Sequence, residues 1–158
     1  MSGHAAAFAR VFDKDVAQLR TELDAYPDDT SVWRIEPGIS NSAGTLALHI
    51  AGNLQHFVGA GLGGTGYVRD RDAEFSDRDL PRLALLQRID DAREVVACTL
   101  AELEDAALDR PFPMAAPKPL GDAPTTAAVL TYMYGHFTYH LGQVNYHRRL
   151  LTGEGATG

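Results

Sequence analysis

Four stretches of this 158-residue chain bring apolar residues back at three- and four-residue steps, and no stretch alternates as a half-buried strand would. The first, over 5–26, carries Phe8, Phe12, Leu19, Leu23 and Tyr26 on one stripe and stops at Pro27-Asp28-Asp29. The second, over 42–60, carries Leu46, Ile50, Leu54, Phe57 and Val58; Asn41 or Ser42 can cap it, and Gly61, Gly63, Gly64 and Gly66 end it. The third begins at Pro81, with Asp79 near its cap, and runs to 108 through Leu83, Leu86, Ile89, Val96, Leu100 and Leu103. The fourth begins near Pro124 and runs to 151, ending at Gly153. Four helices of this length predict an all-α four-helix bundle.

The links constrain the bundle further. Residues 61–79 read as a polar loop without periodicity of its own, a length that usually signals function or mobility. Pro111 to Pro119 cannot be helical inside and is long enough for a crossover. Between the first two helices, Trp33 is expected to pack over the bundle, with a turn at Pro37-Gly38. One domain is expected over 1–152, with a Gly-rich, frayed tail over 153–158.

Composition narrows the function classes. A hydrophobic fraction of 45% with 22% charged residues is that of an ordinary globular domain. The formal charge of -7 repels phosphate backbones, and the basic spots Arg69 with Arg71 and Arg148 with Arg149 are too small to reverse this, so no nucleic-acid partner is expected. No run approaches the ~20 apolar residues of a membrane span. The start Met-Ser-Gly-His-Ala-Ala-Ala lacks the pattern of a signal peptide, and the single Cys98 fits a reducing compartment; a cytoplasmic protein is expected. Cys98, among Val95, Val96 and Leu100, reads as an inert, buried thiol.

Of six histidines, five fall in the second and fourth helices. His136 and His140 are four apart, on one face with Cβ atoms about 5–6 Å apart, so two imidazoles can share a metal ion. The Glu of the HExxH proteins is absent. His49, on the apolar side of the second helix beside Asn53, offers a third imidazole; three protein ligands leave a coordination position open. Imidazoles alone do not choose among zinc, nickel, iron and copper. His56 and His147 each lie about 10 Å further along their helices and read as pocket-lining, outer or surface residues, while His4 reads as solvated. Asn53 and Gln143 can orient ligands or substrate, or simply bond helix to helix. Arg69 and Arg71 can bind an anionic substrate, or form a solvated face.

The stretches Leu46-Ala-Leu-His-Ile-Ala-Gly-Asn-Leu and Gly135-His-Phe-Thr-Tyr-His-Leu-Gly-Gln-Val, with Gly61-Leu-Gly-Gly and Arg69-Asp-Arg-Asp-Ala-Glu-Phe, resemble the DinB/YfiT-like superfamily, whose members commonly bind zinc or nickel, in a bacterial branch without assigned function. The resemblance covers nearly the whole chain. It implies an up-down-down-up bundle with long crossover links, a homodimer, and one zinc or nickel ion on His49, His136 and His140. It also implies chemistry on small thiols, as in bacillithiol S-transferases and mycothiol-dependent maleylpyruvate isomerase. A metal-dependent transferase acting on a small molecule is therefore the leading expectation. The alternatives are a non-catalytic metal-binding or stress-response module and a metal-dependent hydrolase.

Overall fold

A computed structural model describes residues 3–155. Its long helices are α1 (His4–Asp24), α2 (Ala43–Asn53), α4 (Arg82–Glu102) and α5 (Thr126–Thr152); a short α3 (Arg71–Ser76) lies between α2 and α4. From α2 the chain continues without a break as a π-helical segment, Leu54–Ala60, and a last helical turn, Gly61–Gly63.

Phe12, Val16, Leu19 and Leu23 of α1 are completely buried, four residues on one stripe at steps of three and four. They meet Leu85, Ile89, Val96 and Leu100 of α4 and Val129, Leu130, Met133 and Phe137 of α5 in one core. Each such side chain contributes about 1.5–3 kcal/mol of burial. Every residue of α2 is buried, as expected of the one helix that is apolar nearly all round. Gly44 lets α2 approach the Trp33 ring, where a Cβ would stand 2.7 Å from it, and Trp33 Nε1 donates to the Leu80 carbonyl.

Contacts fix the helix directions. Asp13 pairs with Arg93 and Arg20 with Asp90, so α1 and α4 run antiparallel. Phe12 stacks near Phe137, and Glu22 pairs with Arg148, so α1 and α5 run parallel. Gly59 faces Val95 and Gly63 faces Thr99, so α2 and α4 run parallel. The order is up-down-down-up, with α1 and α2 each packed on both α4 and α5. Among the described residues the only extended pairing is an isolated bridge, Pro111 with Thr125, and no helix is long and apolar enough to cross a membrane.

Several local expectations need correction. The loop 61–79 contains α3, whose six residues are too few to leave a periodic pattern; Asp70 Oδ1 caps it by accepting from the Ala73 N–H (2.9 Å). Asp79 does not cap α4. Asp29, just past α1, accepts from the Arg82 N–H instead (2.9 Å). The third helix ends at Glu102, not 108, and Asp105 beyond it accepts from the His4 and Ala5 N–H groups at the start of α1 (3.1 and 2.9 Å). Cys98 is exposed: with Ile89, Ala92, Val96 and Leu100 inward, the helical period turns position 98 to solvent. At the C-terminus, Arg148 Nη2 donates to the Gly155 carbonyl (2.7 Å), and residues 156–158 lie outside the described residues.

Candidate metal centre

Ser42 starts α2 by accepting from the Thr45 N–H, and two turns on the helix delivers His49, only 7% exposed, into the groove facing α5. Thr125 starts α5 in the same way, through the Ala128 N–H, and that helix delivers His136 and His140 one turn apart, both half-buried. His136 Nε2 lies 3.2 Å from His49 Nε2 and 3.2 Å from His140 Nε2. Candidate ligand atoms of the three all lie within 4.8 Å of one another. Each imidazole has an aromatic neighbour: Phe75 beside His49, Tyr132 beside His136 and Tyr139 beside His140.

The outer nitrogens are held from behind. His49 Nδ1 lies 2.9 Å from Glu74 Oε2. A carboxylate facing a nitrogen lone pair would be repelled, so Nδ1 carries the hydrogen and donates, leaving Nε2 as a lone pair aimed at the cluster. Arg69 grips Glu74 with two hydrogen bonds of 2.6 Å, from Nε and Nη2. Burial opposes ionisation of Glu74, but the hydrogen bonds from Arg69 and His49 and the charge of Arg69 outweigh it and hold the carboxyl below the usual range. His140 Nδ1 donates to Gln143 Oε1 (2.7 Å), which again leaves Nε2 inward. Asn53 Nδ2 donates to the His49 carbonyl (3.1 Å) and stands 3.0 Å from Nε2. His136 is pushed down to about 4, by burial first and then by the neighbouring His140, His49 and Arg69, so it is neutral at pH 7.

This donor set fits a divalent cation. Nitrogens at about 2.0–2.1 Å from a tetrahedral ion are about 3.4 Å apart, close to the two 3.2 Å separations here. Two outward N–H groups turned to oxygen acceptors leave unprotonated nitrogens pointing at a common region.

Glu74 is the residue that sequence reasoning missed. It reaches His49 because Gly52 has no side chain: a Cβ there would overlap the Glu74 carboxylate. Its signal was faint: the capping residue Asp70, with Asp72 and Glu74 in the first turn of a very short helix. Arg69 faces Glu74, not an open pocket, and Arg71 lies over the Phe75 ring, 5.0 Å from its centroid. His56 sits on the π-helical segment against Phe57, its Nδ1 buried without a partner among the described residues, and does not join the cluster. His147 lies apart, between Tyr26 OH (2.6 Å) and the Arg34 carbonyl (2.9 Å).

The family described as "Protein of unknown function (DUF1572)" matches residues 6–156. No curated protein matches the chain. Among solved structures, the chain is similar to a DinB-like protein from Bacillus cereus ATCC 10987 determined at 2.01 Å resolution, with a TM-score of 0.71 and 17% identity over 96% of this chain and 94% of that one. That likeness shows the fold, which is DinB-like.

Proposed function

The chain belongs to the DUF1572 family, and we propose that it binds one divalent ion, zinc or nickel, through His49, His136 and His140 and works as a metal-dependent transferase acting on a small thiol and a small-molecule partner. The observation that carries this reading is the pair of outward N–H groups, His49 to Glu74 and His140 to Gln143, which leave Nε2 lone pairs aimed inward. A divalent cation in such a site favours the deprotonated form of a bound thiol or water. The protein's own part is positional. Arg69 and Glu74 orient His49, Gln143 orients His140, and the rings of Phe75, Tyr132 and Tyr139 keep the cluster in apolar surroundings.

Two features favour a reaction over a sealed structural site or hydrolysis. His136 and His140 are half-exposed, so the cluster can be reached from solvent. Both oxygens of Glu74, the carboxylate beside the cluster, are taken by Arg69 and His49, so it is not free to act as the base that hydrolysis needs. The reading includes a cytoplasmic homodimer.

Elemental analysis of purified protein tests it, beside His49→Ala and His140→Ala. About one ion per chain is expected in the parent and none in the variants; equal content in all three would remove the site. Cobalt-loaded protein titrated with small thiols should then develop charge-transfer absorption, and silence with every thiol would leave binding without thiol chemistry.

A further inference from the structure

Two cavities each have an outer partner of the histidine cluster in their walls, while none of the three histidines lines either. The first, of about 400 Å³, is backed by Glu74 and edged by Asp70, Asp77, Asp91 and Arg88. The second, of about 420 Å³, lies where residues 38–41, the start of α2 and the last turns of α5 meet, and Gln143 forms part of its wall. The two differ in charge. No Asp, Glu, Lys or Arg lines the second among the described residues.

Its apolar walls are Ile39, Leu46, Tyr146 and Leu150. Leu46 is buried, but Ile39, Tyr146 and Leu150 are 36%, 67% and 72% exposed. Large apolar side chains left in water around a concavity gain free energy when a ligand covers them. At the back of the cavity, both ring nitrogens of His147 are engaged, by Tyr26 and Arg34, so it offers no free charge. Asn41 and Gln143 supply the polar edge. Arg149 lies over the Tyr146 ring, 5.5 Å from its centroid, but is not part of the wall; a charged group entering here would lose water and meet no charged residue in the lining, a cost that an uncharged apolar group escapes. Gln143 joins this cavity to the cluster, since the same side chain holds His140.

We infer that this second cavity takes the uncharged, apolar portion of the substrate, an aromatic ring or branched aliphatic group, while the polar end lies at the histidines. The inference rests on the metal-binding reading and narrows the substrate class. Gln143 is a positioning residue in it, acting through His140.

The test is calorimetry on zinc-loaded protein with imidazole, 4-phenylimidazole and 4-(imidazol-4-yl)benzoate. The phenyl group is expected to tighten binding about tenfold or more over imidazole, and the added carboxylate to cancel the gain. Tyr146→Ala and Leu150→Asp, both at exposed positions, are expected to remove the phenyl gain and to leave imidazole binding and zinc content unchanged. A phenyl gain that survives both substitutions, or no gain in the parent, overturns the inference while the metal site stands. Protein that takes up no zinc overturns both. If Leu150→Asp changes the mass in light scattering and leaves the phenyl gain intact, the patch is a contact between copies and the inference falls.

Discussion

Two Arg–Glu pairs, each with a contact of 2.6 Å, sit at different places in this bundle and serve different ends. Arg148 and Glu22, both fully buried, join α5 to α1: Gln18 and Asn145 donate to Glu22, and Arg148 donates to the Gly155 carbonyl and lies 3.9 Å from the exposed Glu154. Arg69 and Glu74 sit on the link outside the four long helices, and Glu74 passes its contact on to an imidazole. The first pair ends in packing. The second ends in a nitrogen whose protonation state it sets. Identical chemistry thus does structural work where its remaining contacts stay within the packing and site work where one of them holds a candidate metal ligand.

The largest expected effect breaks the packing pair. Arg148→Ala removes the cation buried against Glu22 and should cost about 3–5 kcal/mol in chemical denaturation, with zinc content of the remaining folded protein unchanged. A loss of zinc equal to that of His49→Ala would erase the distinction between the pairs.

Next, Glu74→Gln should weaken zinc binding about 10–100-fold in chelator competition, with a much smaller loss of stability than Arg148→Ala. Unchanged zinc affinity would mean that the carboxylate does not govern His49.

Gly52→Ala sharpens the same point without touching a charged group. Its Cβ would displace the Glu74 carboxylate, so zinc affinity should fall about tenfold, toward the Glu74→Gln value. Alanine is the better helix former by about 0.5–1 kcal/mol, so the melting temperature should fall little.

The smallest effect belongs to the packing end and to pH. Burial holds His147 below its ordinary 6.5, even though its hydrogen bond to the Arg34 carbonyl pulls the other way. Between the folded value and 6.5 the unfolded chain binds the proton and the folded one does not. The contribution to stability is therefore complete above 6.5 and is lost as pH falls through the folded value. Chelator-treated protein should melt at lower temperature at pH 5 than at pH 7, and His147→Gln should show a shallower fall. An equal fall would assign the effect to other groups.

The long helices were legible because each repeats its apolar residues over many turns, as Phe12, Leu19 and Leu23 do in α1. The cap at Ser42 and the convergence of His49, His136 and His140 were legible because local spacing and facing helices decide them. What escaped was tertiary. Glu74 reaches His49 across 25 positions, through a helix too short to show a period and past a glycine whose purpose is visible only in three dimensions. The π-helical segment Leu54–Ala60 escaped because one wider turn leaves no mark in an apolar pattern that already ran through it. Arg69 looked like a solvent-facing cation because charge in a link says nothing about a carboxylate folded back against it.

Asp105, just beyond the end of α4, holds the first N–H groups of α1, and Asp29, just beyond the end of α1, holds the first N–H of α4. The two helices are thus latched at both extremities by a crossed pair of carboxylates. Sliding one past the other by a single turn, about 5.4 Å, would unfasten both latches together. A vernier of this kind sets the lengthwise alignment of α1 and α4 independently of how well their apolar faces interlock, so the floor on which α2 and α5 bring their imidazoles together cannot creep.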